Sequence, residues 1–401
     1  MSNDVWGQPI AGSLESVVSW NQAWDQFLHF RDDAYAELAA ANPLDEAFVM
    51  GGVFNSVYSI LGGLRFDERD LVAEVDRVRS RAPSSPAREK AHAEALDVLF
   101  AGNFSRAATM WDEIAAEAPD FAAIRFAHDI YLHVGDTDAR MASSLAAVDQ
   151  WGDRHGANFV ASQHSFALEE TGQFAEAERV GRAALEADPD DLWARHALVH
   201  VYEHTNNPVA AFEILEGSDH NWPEQDQLST HIWWHVALFH LAAGEIDRVL
   251  AIFDDRLVSK PTAFRLCDQT SLLWRAELAG FDVGSRWDGV ADRWDESEQR
   301  HNCGFLDLHA AFSFAKRPDH PGAKRWLGGL ADRPLGDSEN DIIFQDVVAP
   351  LVVAAGAFAA GDTSSFAHVV ADLGQDACRI GGSNAQREII TLTANRTDLT
   401  P

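Results

Sequence analysis

Five histidines stand about one repeat apart: His128, His164, His200, His235 and His309. Ser271 falls where a sixth rung is due. The intervals are 36, 36, 35, 36 and 38 residues, in a chain of 401 residues with 17 histidines. Imidazole titrates near neutrality, so a column of such groups suits proton transfer, metal ligation or recognition of a polar ligand. Two rungs are doubled at i,i+4 spacing, His196 with His200 (HALVH) and His231 with His235 (HIWWH). That spacing puts both rings on one helix face.

Three chemical readings follow. In acid–base catalysis, His200 and His235 are the central pair of groups, with His128 and His164 beside them. Glu203, three residues after His200, is the expected carboxylate partner on its face. Asp129, Glu169, Asp268 and Asp307 also lie near the ladder. Nucleophile candidates are Ser271, Ser165 and Cys267, without a GxSxG signature, so a hydrolase or lyase driven by His and carboxylate is favoured over a serine triad. In the metal reading, His196, His200, His231 and His235 are the ligands. The glutamate of an HExxH motif is missing from both pairs, so no metal or other cofactor is favoured. In the binding reading, His196, His231, Trp234, Ser271, His309, Asp268 and Arg387 line a pocket for a small organic molecule. Arg387 there would hold a ligand carboxylate, the commoner role of such an arginine being an ion pair with one of the chain's 63 acidic residues. Against all three stands a packing role, since a buried histidine on a helix commonly donates to a neighbouring carbonyl or carboxylate.

The elements that must position these residues are helices. Turn signals recur at 101–104, 134–137, 171–174, 205–208, 243–246, 279–282, 316–319 and 360–363, each between apolar-periodic segments. The spacing is close to the ~34 residues of a tetratricopeptide unit. In FALEETGQFAEAERVGRAALEADPDD, Gly172 makes the turn, Ala177 and Ala184 sit where two helices approach, and Pro189 follows the second helix. Strand signals are nearly absent. The predicted fold is all-α, a tetratricopeptide-like solenoid of antiparallel helix pairs curled around a concave cavity. The chain reads as one domain over 1–401, with N-terminal capping helices in 1–65 (14–42 and 44–63), core repeats in 90–317 and C-terminal capping helices in 341–396. Residues 78–90 read as a basic surface turn, 318–340 as an irregular excursion and 217–226 as a long loop able to fold over the ladder. Each laddered histidine falls six to nine residues before its turn, on the first helix of a pair, the helix that lines the inner surface of a tetratricopeptide superhelix.

The net charge of −32 repels phosphate backbones and anionic lipids, so neither nucleic acid nor a membrane surface is an expected partner. Three unpaired-looking cysteines and the absence of a leader pattern or an apolar run of ~18 residues fit a cytoplasmic chain. A small molecule is the expected partner. A peptide in the groove of a non-catalytic scaffold is the alternative, and a homo-oligomer is compatible with either.

The segments AHDIYLHVGD (127–136), RHALVHVYEH (195–204), HIWWHVALFHLAAGE (231–245), LLWRAELAG (272–280), DLHAAFSFA (307–315) and GGSNAQRE (381–388) resemble the tetratricopeptide repeat protein 38 family, in order, over about residues 20 to 395. The resemblance implies a tetratricopeptide-like α-solenoid and carries no activity with it. Family members often have histidine in the GGSHAQR-type motif, where this chain has Asn384.

Overall fold

A computed structural model of the chain describes residues 2–31, 38, 40–41, 44–215, 227–258, 262–297 and 301–396. Among these the protein is nearly all helical, with 20 helices packed in adjacent pairs in the manner of an α-solenoid. Contacts divide it into two compact units, Met1–Leu228 and Ser229–Pro401, described in turn.

The first unit opens with a two-residue antiparallel ladder, β1 (Ser2–Asn3) with β2 (Pro9–Ile10). The helices are α1 (Leu14–Leu28), α2 (Met50–Leu61), α3 (Arg69–Arg81), α4 (Ala87–Phe100), α5 (Phe104–Glu117), α6 (Phe121–Val134), α7 (Thr137–Trp151), α8 (Ala157–Glu170), α9 (Phe174–Ala187), α10 (Leu192–His204) and α11 (Pro208–Leu215). From α4 onward each short turn falls where a glycine or asparagine takes a left-handed conformation: Gly102, Gly135, Gly172 and Asn206. The chain therefore reverses at nearly constant intervals, and α4, α6, α8 and α10 become the first helices of successive pairs. Asp120, Asp136 and Asp191 cap α6, α7 and α10 by accepting a backbone N–H in the first turn.

Aromatic packing closes the N-terminal end. Trp6 stacks on Phe121 at 4.2 Å, and Trp24 meets Phe121 and Phe54 edge-on. Trp20, Trp24, Trp111 and Trp151 are almost wholly buried. Truncating any one of them to Ala would cost about 3–5 kcal/mol.

The second unit runs α12 (Gln227–Ala242), α13 (Ile246–Ile252, continued by a π turn Phe253–Leu257), α14 (Ala263–Leu278), α15 (Arg286–Glu296), α16 (Gly304–Lys316), α17 (Pro321–Ala331), α18 (Glu339–Ala359, with a π turn at Phe344–Val348), α19 (Thr363–Leu373) and α20 (Asn384–Ala394). Trp274 of α14 donates to Thr393 of α20 at 2.9 Å, and Arg275 donates to Glu388 and to the Ala385 carbonyl. These bonds fasten the C-terminal helix to α14.

Four boundaries differ from the sequence reading. The helix expected over 14–42 stops at Leu28, where Phe30 adopts a φ of 52°. Its partner starts at Met50, not at 44. The turn expected over 78–90 is shorter, since α3 reaches Arg81 and α4 starts at Ala87. The excursion at 318–340 contains α17, started by Pro321 at a position where proline's missing N–H costs nothing. The 217–226 loop lies outside the described residues. One segment, α18, is long and apolar enough to cross a membrane, with 21 residues and a mean hydropathy of 2.0, so the expectation of no such run is corrected there. Half of its apolar window is buried inside the protein.

Helices pack closely where α8, α9 and α10 meet. A Cβ on Gly181 would stand 2.7 Å from Ser165 Oγ and 3.0 Å from Leu198 Cδ2, and Ser165 Oγ is itself anchored on the Ala177 carbonyl. Gly181→Ala is expected to lower stability by about 1–3 kcal/mol through overpacking. Gly328→Ala, on an exposed face of α17 with open space around it, should raise it by about 0.5–1 kcal/mol through helix propensity. Urea denaturation of both variants checks the pair; equal effects of the same sign would contradict this packing.

Candidate functional site

The ladder occupies equivalent places on first helices: His128 on α6, His164 on α8, His200 on α10, His235 on α12, Ser271 on α14 and His309 on α16. All six are buried. These helices are buried nearly all round, α8 without a break from Ser162 to Glu170. Polar groups there must find partners inside the protein. The partners decide what each residue can do.

In the first unit, the three residues His196, His200 and His204 follow one another at i,i+4 along α10. His196 Nε2 and His200 Nε2 are 3.0 Å apart. At that contact one nitrogen must carry a proton and the other must lack it, so the two rings cannot both be imidazolium. Behind His200 stands Glu169 of α8, with Oε2 3.4 Å from His200 Nδ1 and Oε1 2.7 Å from His204 Nδ1. Glu169 is fully buried, and burial alone would raise its pKa; the two imidazoles outweigh that and hold it down at about 2. Hydrogen bonding to Glu169 raises His204 to about 9. Its side chain is 32% exposed, so the Glu169–His204 ion pair connects the buried rings to solvent.

The carboxylate placed against His200 is thus Glu169, from the preceding first helix. Glu203, the residue expected in that role, lies part-exposed, where its charge helps raise His204. Helical periodicity can place Glu203 on the face of His200, but it cannot see a neighbouring helix. The spacing of His204 was visible in the sequence as the third member of an i, i+4, i+8 series, and its role was missed.

Phe166 joins this group to a second one. Its ring stacks with His196 at 5.5 Å and meets His200 edge-on at 5.0 Å, and it lies under the Arg140 guanidinium at 4.4 Å. Trp193 packs against Phe166 and His196 at 5.1 Å each. Arg140, from the second helix α7, is 2% exposed, and burial lowers its pKa to about 10. Nothing in the sequence distinguishes this arginine from surface ones, because the inward turn of α7 is a tertiary fact. His128 is held well below its ordinary value by burial and by the nearby Arg140 and Arg125. His164 is lowered by burial and contacts Ser144 Oγ at 3.0 Å. Since that hydroxyl donates to the Met141 carbonyl, it accepts from His164 Nδ1–H, which leaves Nε2 as the unprotonated nitrogen.

In the second unit, His231 Nδ1 lies 2.8 Å from Asp268 Oδ1, and its ring stacks on Trp234 at 5.0 Å. His235 meets His231 edge-on at 4.7 Å. Ser271 Oγ accepts from Arg275 Nε at 3.2 Å. His309 donates from Nδ1 to the Phe305 carbonyl of its own helix, and burial lowers it to about 4. That is the packing role the sequence kept open for such residues. Arg387 donates to the Gly382 carbonyl and to Asn384 Oδ1 at 2.7 Å, so it braces the loop before α20, where the sequence reading had it hold a ligand carboxylate. The other nucleophile candidates fit poorly. Ser165 is bonded to backbone, and Cys267 is buried with its thiol pushed well above the ordinary range.

The donor atoms of Glu169, His200 and His204 lie within 4.8 Å of one another, a set able to hold a transition metal. Without one, the same three groups form the ion pair and contact described. No family model matches the chain.

The ion pair has a pH signature. His204 is raised above its unfolded 6.5, so its contribution is complete below pH 6.5 and disappears as pH rises through about 9. Glu169 is lowered, so its contribution is present above 4.5 and disappears as pH falls through about 2. The melting-temperature difference between wild type and Glu169→Gln should therefore be greatest between pH 4.5 and 6.5 and shrink by pH 9. A difference that stays flat from pH 6.5 through 9 would contradict a charged His204 in the folded state.

Proposed function

We propose that this chain is a tetratricopeptide-like helical-repeat protein, allied to the tetratricopeptide repeat protein 38 family, whose first unit binds a small organic molecule beside His196 and His200. The same residues transform it by acid–base chemistry of hydrolase or lyase type. The observation that carries the reading is the line His196–His200–Glu169–His204. In the 3.0 Å contact one Nε2–H donates to the other Nε2, so a ligand that takes the place of either ring meets a base or an acid. A carboxylate directly behind a catalytic imidazole orients it. The part-exposed His204 gives the buried pair a route for exchanging protons with water.

Burial of the ladder supports a small ligand over an extended peptide, since a peptide laid on a surface would not reach rings that are nowhere more than 7% exposed in this unit. The aromatic neighbours Phe166 and Trp193 supply apolar contact for such a ligand. The reading needs no metal; Glu169, His200 and His204 are committed to one another as acid and bases.

The test incubates wild type, His200→Gln and Glu169→Gln with a defined mixture of small esters, amides and hydroxy acids, followed by mass spectrometry. Wild type should convert a component, and His200→Gln should slow that by ~10²–10⁴-fold while melting within about 5 °C of wild type. Binding of a component without conversion removes the catalytic half of the reading. Neither binding nor conversion removes both, and stoichiometric zinc, iron, manganese or nickel in untagged protein would replace the metal-free chemistry.

A further inference from the structure

Several buried side-chain nitrogens around Arg140 lack a hydrogen-bond partner. Arg140 donates from Nη2 to Gln163 Oε1 at 3.0 Å, while its Nε and Nη1 have no hydrogen-bond partner. Gln163 Nε2, Trp193 Nε1 and both ring nitrogens of His128 have none either. Every one of these atoms is a nitrogen, and all but one ring nitrogen of His128 carry hydrogen. Glu169, whose charge acts on Arg140, has its oxygens turned to His200 and His204 and accepts no hydrogen bond from Arg140. A buried donor left without a partner weakens the fold. A cluster of one sign is the complement of an acceptor that the chain does not itself supply.

Guanidinium geometry narrows the acceptor. Gln163 takes one of the two Nη2 protons. Whichever it takes, one edge of the guanidinium keeps two parallel N–H bonds, either Nε with Nη2 or Nη1 with Nη2. Two parallel donors match the two oxygens of a carboxylate or a phosphate. Charge chooses between these. Arg125 is already satisfied by Asp129 at 2.8 Å, and Glu169 by His204. The charges of Asp129, Glu170 and Glu169 also act on Arg140, although none of the three accepts a hydrogen bond from it. The three carboxylates around Arg140 oppose a dianion more strongly than a monoanion. Phe166 and Trp193, under and beside the guanidinium, offer flat apolar surface next to the anion.

We infer that Arg140, Gln163, His128 and Trp193 form an anion site in the first unit that takes the carboxylate of a small organic acid, whose apolar or aromatic part packs on Phe166 and Trp193. The inference deepens the proposed function and rests on it, because Phe166 lies between this site and His196–His200, and the acid is then the substrate class. Arg140 is a binding residue in this scheme, and the proton chemistry remains with the histidines.

Calorimetry on the full chain tests it with benzoate, phenylacetate and 3-phenylpropionate, their primary amides, and inorganic phosphate. At least one carboxylate should bind ten-fold or more tighter than its amide and than phosphate. Arg140→Met should abolish that preference, and Arg140→Lys, which keeps the charge and loses the paired donors, should weaken it. Ligand-free Arg140→Met should melt no lower than wild type, because it removes a buried cation with unmet donors. A fall in its melting temperature would assign Arg140 to packing. Equal binding of acids and amides, unchanged in Arg140→Met, would overturn the anion site and leave the small-molecule reading standing. Carboxylate binding that needs Arg140, with no conversion of any acid, would uphold the site and remove the chemistry instead. If no carboxylate binds, the anion site falls, and the esters and amides of the mixture alone decide the proposed function.

Discussion

Near-complete burial of the polar helices that carry the ladder is the constraint from which the rest of this structure follows. Helix α8 shows it best: Gln163, His164, Ser165, Glu169 and Glu170 lie on a segment with no exposed face. Burying an ionised carboxylate alone would be prohibitive. Glu169 is tolerated because two imidazoles from α10 reach it, one of them protonated. The helix can lie there only if α10 brings His200 and His204 alongside, and α10 can do so only because the turns at Gly172 and Asn206 return the chain at matching intervals. Repeat geometry and site chemistry are therefore one requirement.

The same constraint separates two kinds of buried histidine. His92 is fully satisfied: its Nδ1 accepts from Trp111 at 3.0 Å, so Nε2 carries the proton toward Asp120 at 3.1 Å. His309 donates to a carbonyl of its own helix. These rings are parts of the core. His196 and His200 differ because each is held against another imidazole, an arrangement that supplies one proton where two nitrogens compete. His128 and Arg140 differ again, holding donors that the protein leaves unmet. A protein core tolerates such groups where function requires them, at some cost in stability.

Much of the fold was legible from residue order because its signals are local. Glycine or asparagine at each turn, alanines where helices cross and proline after a helix specify where the chain reverses, whatever surrounds it. The turns at 101–104, 134–137, 171–174, 205–208, 243–246 and 360–363 each separate two helices at those places. The misplaced boundaries lie toward the ends of the chain. There a residue such as Phe30 takes an unusual backbone angle that composition does not announce. The placement of the ladder on first helices was legible for the same reason, periodicity being a property of one strand of sequence.

The sequence by itself thus determined an all-α chain of helix pairs and a histidine at one equivalent point of most pairs, because turn chemistry and helical period act within a few residues. Only the tertiary structure decided which of those histidines is a core residue and which stands in a reactive line. It chose Glu169 over Glu203 as the partner of His200 and turned Arg140 of α7 inward over Phe166. Those choices depend on distances between helices 20 to 40 residues apart in the chain. Electrostatic partnership falls off over a few ångströms and is blind to sequence separation, so no spacing rule along one helix could have reported it.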